Sequence, residues 1–404
     1  MAAALVFAGT YLVLAFGRIP FLRIDRPGAA IVGAVLMVAL RIVSLDEAYR
    51  AIDYRTIVLL FGMMILVANL RLARTFDRLA AVTVSRVAHP VVLLVVVVFV
   101  SGALSALFVN DTICLVFTPV LIEMARARGR NPVPYLIGLA TGSNIGSVAT
   151  IVGNPQNMLI ASMSRIGYVE FARVLGPVAL GGLAINAAIL CTVYRRDLHG
   201  RSVSARPLVT RPIHRAMTVK SLIVAAAALA GFVVGWEPAL VAVSAAAVLL
   251  VSRNIKPSKL YRAVDWDLLA LFIGLFVVIA GVENAGLDRW FFERLRPVGI
   301  ATLGGLSIVG AVLSNAISNV PAVMLFTSLV PALPSPRLSW FALAMSTTLA
   351  GNLTILGSVA NLIVVEGARR SGVRITFAQH LAVGVPVTCA TLLFGVLWLH
   401  MFAR

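Results

Sequence analysis

Charged residues are scarce in this sequence: Asp, Glu, Lys and Arg make up 12% of 404 residues, against roughly 25% in soluble domains. Lysine occurs only at Lys220, Lys256 and Lys259. The formal charge of +18 therefore rests on arginines in short loops. There is no low-complexity basic tail to grip a phosphate backbone, so nucleic acid is excluded as a partner. The three cysteines, Cys114, Cys191 and Cys389, stand far apart inside apolar runs and suggest neither a disulfide framework nor a metal cluster. No Gly-x-x-x-x-Gly-Lys loop occurs and no soluble domain could hold one, which excludes a self-contained ATP-driven pump. An ATPase is left open only as a separate, unsupported partner. There is no His-Glu-x-x-His, and His89, His199, His214, His380 and His400 all fall near loops or ends. Without a nucleophile–base pair the chain does not read as an enzyme, and no cofactor is called for.

What the chain has is hydrocarbon: 60% of its residues are hydrophobic and its mean hydropathy is +0.98. Apolar segments of about 20 residues, separated by short Arg-rich loops, recur from end to end, which is the transmembrane pattern. The expected spans are 3–17, 27–43, 55–70, an interrupted stretch 91–123, 135–163 and 171–193, then 220–236, 238–251, 266–282, a second interrupted stretch 299–331, 339–365 and 377–402. No positive charge precedes the first span, and Arg18, Arg23 and Arg26 follow it. That order is the reverse of a secretory signal, so the span is read as a retained helix with its N-terminus outside.

The two lists of spans have the same shape, and the residues repeat with them. AIDYRTIVLLFGMMIL (51–66) resembles AVDWDLLALFIGLFVV (263–278), SALFVNDTICLVFTP (105–119) resembles SNAISNVPAVMLFTS (314–328), and ATIVGNPQN (149–157) aligns with LTILGSVAN (353–361). The offsets of 212, 209 and 204 residues stay in order, as in a duplicated half-transporter. The expected organisation is a first membrane repeat over 1–194, a basic cytoplasmic linker over 195–219 and a second repeat over 220–404. If each interrupted stretch is a hairpin that enters and leaves on one side, every repeat crosses an odd number of times and the second is inverted. On that assignment 24 of the 34 Lys and Arg residues lie in cytoplasmic loops, the bias the positive-inside rule requires. The fold class is an all-α polytopic membrane protein: two inverted repeats, each with five crossing helices, one re-entrant hairpin and an interrupted helix at the midplane.

Each hairpin has a polar tip within apolar sequence, Asn110-Asp111-Thr112 in the first and Ser318-Asn319-Val320-Pro321 in the second. Non-helical backbone at membrane depth must be buried in protein or line a wet cavity, so the tips should converge on a central site. Helix capping by Asn, Asp and Ser is the plainer explanation of the same residues. The span holding TGSNIGSVATIVGNPQN (141–157) has too many Gly, Ser, Thr and Asn residues, and a proline, for a plain helix. It should unwind, as should its mate STTLAGNLTILGSVAN (346–361), exposing carbonyls to cations and N–H groups to anions. Tight glycine packing is the alternative there. The candidate substrate and ion ligands are Asn110, Asp111, Thr112, Ser143, Asn144, Thr150, Gly153, Asn154, Asn157, Ser318, Asn319, Thr354, Gly357 and Asn361. Asp111 is the one acid well inside an apolar span, which makes it the candidate for proton coupling. Its alternative is an N-cap carboxylate, in which case coupling passes to a sodium site around Asn110, Asn154, Asn319 and Asn361. Glu123, Glu283 and Glu366 fall at span ends and are read as solvated.

At these motifs the chain resembles the ion transporter superfamily of arsenite permeases, divalent anion:sodium symporters, citrate transporters and sodium/proton antiporters. Asn110 and Asn319 match the Asn of the symporters' Ser-Asn-Thr tip, and Gly153-Asn154-Pro155 is similar to their Gly-Thr-Pro segment. The Asn110-Asp111 tip followed by Thr118-Pro119 is closer to the arsenite permeases. The resemblance implies an ion-coupled secondary transporter of a small anion or neutral oxyacid, driven by H+ or Na+. It would sit in the inner (plasma) membrane as a multi-pass protein with both termini outside, and a homodimer is left open. A sodium/proton antiporter of the same superfamily is the alternative. A channel is the nearest different class, but it would want a continuous polar lining rather than polar residues at one depth.

Overall fold

The computed structural model describes residues 1–17, 24–199, 215–251 and 256–403. Among them the chain is helical throughout, and the first half runs α1 (Ala2–Phe16), α2 (Arg26–Ala39), α3 (Leu45–Ala51), α4 (Tyr54–Leu72), α5 (Thr75–Ser85), α6 (Pro90–Leu107), α7 (Asn110–Ala127), α8 (Val133–Ser147), α9 (Pro155–Ser164) and α10 (Tyr168–Val193). A short α11 (Arg195–Leu198) follows. The second half repeats the order as α12 (Arg215–Val234), α13 (Pro238–Leu250), α14 (Pro257–Tyr261), α15 (Trp266–Asn284), α16 (Leu287–Leu295), α17 (Leu303–Ile317), α18 (Asn319–Phe326), α19 (Pro336–Ala350), α20 (Val359–Arg370) and α21 (Phe377–Phe402). Six of these helices are each long and apolar enough to cross a membrane. Each of the two interrupted stretches divides into two helices, and so do the spans at 135–163 and 339–365. Most of the segment expected as a basic linker lies outside the described residues, and α12 starts within it, at Arg215.

The stretches left between the expected spans hold helices as well, among them α3, α5, α14 and α16. In α5, Phe76 and Ala80 are buried while Asp77 and Arg78 face outward. In α16, Arg294 lies over the Trp290 ring at 5.1 Å. Both have the composition of helices that lie along a membrane surface, with charges on one face that lower the hydropathy of the whole.

The halves interlock. Helix α2 packs along α15, and α13 packs along α4. At the first crossing a Cβ on Gly274 would stand 2.5 Å from the Ala30 carbonyl carbon, and at the second a Cβ on Gly62 would stand 2.5 Å from that of Ala242. These are the same two positions displaced by 212 residues. Without water to expel between apolar helices, close backbone contact over small residues supplies the dispersion that holds them.

The broken helices stand at the centre. Every residue of α8 is buried, and Gly138, Gly142 and Gly146, four residues apart, seat it on α6. A Cβ at Gly146 would come within 2.1 Å of the Gly102 carbonyl oxygen, a contact no side chain permits. Helix α19 packs on α17 in the matching way, α7 lies against α20 and α18 against α9, and α10 packs along α21. Each hairpin thus touches both broken helices.

Candidate functional site

The first bend, between α8 and α9, is made by local chemistry. Pro155 at the first turn of α9 lacks the N–H that would continue α8, and the Asn154 side chain caps the new helix by accepting from the Asn157 N–H at 2.8 Å. Asn157 then donates its side-chain amide to two carbonyls freed by the bend, those of Ser147 at 3.0 Å and Thr150 at 3.0 Å. In the second bend Ser358 caps α20, and Asn361 donates to the Gly351 carbonyl at 2.7 Å and the Thr354 carbonyl at 2.9 Å. The predicted unwinding is present in both halves, with its orphaned carbonyls satisfied by asparagine.

The hairpin tips attach to these bends. Asn110 takes its backbone N–H to the Gly153 carbonyl at 3.1 Å and donates Nδ2 to Asn144 Oδ1 at 3.0 Å. Ser143 bonds the Asn110 carbonyl at 3.1 Å and shares a hydrogen with Ser105 at 2.7 Å. The Thr150 hydroxyl donates to the Ala106 carbonyl. At the second tip, Ser314 donates to Asn319 Oδ1 at 2.6 Å and to the Thr347 carbonyl at 2.9 Å. Asn315 bridges the Ala350 carbonyl at 2.7 Å and the Thr354 hydroxyl at 3.3 Å, and a Cβ on Gly357 would stand 2.7 Å from its Oδ1. Ser318 has φ 79° and ψ 158°, a region that only glycine enters without strain.

Asn144 joins the halves. Its Nδ2 donates to Asn352 Oδ1 at 3.0 Å and Asn361 Oδ1 at 3.1 Å, and its Oδ1 accepts from the Ser358 hydroxyl at 3.0 Å as well as from Asn110. Asn154 reaches across to the Thr348 hydroxyl at 3.3 Å, and Gln156 reaches it at 3.2 Å. The structure therefore gathers Asn110, Ser143, Asn144, Asn154, Asn157 and Asn361 into one buried cluster with Gly153 behind it. Asn319 is held by Ser314 of α17, on its own hairpin, and no hydrogen bond among the described residues joins it to Asn110. Three buried amide atoms of the cluster have no partner: Asn110 Oδ1, Asn157 Oδ1 and Asn352 Nδ2.

Asp111 is not a cap. The helix it belongs to starts at Asn110 with Val109 at the capping position and no side-chain cap bond. Asp111 and Thr112 instead line a cavity of about 230 Å³ together with Arg71, Asp265, Pro155 and Met158. Glu123 and Glu283 are exposed, as expected for span ends. Glu366 pairs with Arg369 at 2.8 Å and Arg370 at 2.9 Å.

Sequence reasoning passed over Asn352, Thr348, Ser147 and Ser358, although all stand in the two quoted bend motifs. It also placed His380 near a helix end, with no role. His380 does begin α21, but it is buried, and its Nε2 lies 3.0 Å from the Asn352 carbonyl oxygen. The available signal was periodic: His380, Gly384 and Thr388 repeat every four residues and share one face of α21.

The sequence profile of the family described as Citrate transporter matches residues 11–348. A silicon efflux transporter of Oryza sativa subsp. japonica is 30% identical, over 97% of this chain and 96% of its own length. A transporter of Dictyostelium discoideum named arsB is 25% identical, over 93% of this chain and 87% of its own. Among solved structures, the YdaH transporter of Alcanivorax borkumensis superposes with a TM-score of 0.64 at 16% identity, covering 100% of this chain and 98% of that one. The last likeness is one of fold.

Proposed function

This chain belongs to the citrate transporter family, a family of multi-pass membrane transporters, and from that premise we propose that it is a proton-coupled secondary transporter of a small uncharged oxyacid, of the arsenous or silicic acid class. One observation carries the reading. Two of the three buried, unpartnered amide atoms in the cluster are acceptors, Asn110 Oδ1 and Asn157 Oδ1, and one is a donor, Asn352 Nδ2. A hydroxylated, uncharged acid both donates and accepts, so its chemistry matches both kinds of atom. A carboxylate has no hydrogen to give the two oxygens and would stand beside Asp111. No Lys or Arg belongs to the cluster to offset that repulsion; the basic residue of the adjoining cavity is Arg71. The relative named a silicon efflux transporter supports the same class.

On this reading the two repeats are inverted across the inner membrane with both termini outside, and the site is reached alternately from each side as the hairpins and broken helices shift. Asp111, at the start of α7, takes up the coupling proton. Counterflow in proteoliposomes tests the proposal with arsenite, germanate as a surrogate for silicate, and citrate, each with and without sodium. Arsenite or germanate should exchange without ATP and without sodium. Exchange of citrate alone, or exchange that requires sodium, overturns the substrate or the coupling assignment respectively.

A further inference from the structure

Resting on the transporter reading, we infer that His380 is a positioning residue through which pH sets the geometry of the second broken helix. The residue is 1% exposed and lies in the first turn of α21. Its Nε2 faces the Asn352 carbonyl oxygen at 3.0 Å, and because a carbonyl can only accept, Nε2 carries a hydrogen and Nδ1 is the nitrogen left to titrate. One turn further along the same face, a Cβ on Gly384 would stand 2.4 Å from that carbonyl oxygen and 2.8 Å from the Leu353 carbonyl oxygen. Helix α21 is thus pressed against the unwound backbone at two successive turns, and the imidazole is the polar group in the contact.

The contact leads straight to the site. The Asn352 side chain accepts from Asn144 Nδ2 at 3.0 Å, and Asn144 accepts from Asn110 at 3.0 Å. Only Asn352 and Asn144 stand between the imidazole and the first hairpin tip. The first half has no counterpart: the prolines inside α10 and α21, Pro177 and Pro386, fix an offset of 209 residues, which puts Phe171 and Leu175 where the second half has His380 and Gly384. The imidazole therefore stands on the second bend without an equivalent in the first half.

No charge nearby competes. Of the elements packed on α21, α17 carries no titratable side chain and α8 carries only Tyr135. Helix α19 brings Arg337, which is paired with Glu170 of α10; α10 also holds Tyr168, Arg173 and Cys191. Arg374 precedes α21, which itself has Cys389 and His400. A second proton on His380 would strengthen the hydrogen bond to the Asn352 carbonyl, but it puts a charge on a buried ring with no acidic partner, and that desolvation outweighs the bond. It therefore loosens the unwound segment, and with it Asn352 and Asn144, from the arrangement seen here. Mild acid should speed exchange, and deprotonation should restrain it.

The test is equilibrium exchange of arsenite in proteoliposomes, without a pH gradient, across roughly pH 5–7.5, a range that reaches below the ordinary imidazole value. Wild type should speed up by about fivefold toward the acid end, as a contact that favours the neutral ring is lost. His380→Gln and His380→Asn, which keep an N–H donor but cannot titrate, should exchange at a constant rate over that range. Acid acceleration that persists in both variants, or is missing from wild type, overturns the inference. Hydrogen exchange of the wild-type protein, read by mass spectrometry and corrected for intrinsic rates, provides an arm that needs neither a variant nor a substrate. Protection of 351–358 should fall toward acid, and unchanged protection refutes the device. Should wild type carry no arsenite at all, the substrate reading fails while this arm still decides the role of His380.

Discussion

Asn157 and Asn361, 204 residues apart, do the same thing: each sends one side-chain amide to two carbonyls of the bend before it, Ser147 and Thr150 in one case and Gly351 and Thr354 in the other. Those acceptors are themselves separated by 204 residues. An unwound segment in hydrocarbon is stable only if its freed carbonyls find donors, and here a single residue type supplies them twice. Asn157→Leu and Asn361→Leu should each lower stability by about 2–4 kcal/mol through unsatisfied buried carbonyls. Thermal unfolding in detergent measures both, and a loss confined to one of them would break the equivalence of the bends.

Asn110→Ala removes the bond that ties the first tip to Asn144 and should abolish arsenite counterflow while leaving expression and monodispersity intact. Asn319→Ala, whose partner is Ser314 on its own hairpin, should do the same if both tips serve one site. Normal counterflow in the Asn319 variant would leave the second tip a structural turn.

Asp111→Asn keeps size and hydrogen bonding but cannot titrate. Gradient-driven accumulation should be lost while exchange between equal concentrations persists, because coupling needs the proton and exchange does not. Uptake against a gradient with an unchanged pH dependence would move coupling away from Asp111.

Glycine contacts make opposite predictions at two positions. A methyl group at Gly146 meets the Gly102 backbone at 2.1 Å, whereas one at Gly176 in α10 meets nothing within 4 Å. Gly146→Ala should prevent stable folding, and Gly176→Ala should be neutral or stabilising by up to about 1 kcal/mol. Size-exclusion profiles and unfolding midpoints of the two variants distinguish them.

Topology is tested by labelling. In a background with the exposed Cys389 replaced by Ser, single cysteines at the exposed Ala2 and Ser258 should react with an impermeant maleimide from opposite sides of the membrane. Reaction from the same side would rule out an inverted second repeat.

The sequence by itself determined the spans, the doubled order, the two polar tips and the two bends, because each rests on local chemistry. A hydrophobic run has the length of a bilayer, and Gly-Asn-Pro cannot continue a helix. Even the cluster residues Asn110, Asn144 and Asn361 were legible, as polar groups with no reason to lie in lipid. What only the tertiary structure decided depends on partners far along the chain. Asn144 meets Asn352 across 208 residues, and no periodicity announces that pair. The interlocked α2–α15 and α4–α13 crossings are equally silent in sequence, since Gly62 and Gly274 in isolation are two small residues among many. Helices α5 and α16 were hidden because charge on one face cancels the apolar signal of the other. His380 looked like a histidine at the end of a span until α21 folded back to bring its ring against the carbonyl of Asn352, where a backbone already released from helical bonding had an acceptor to offer.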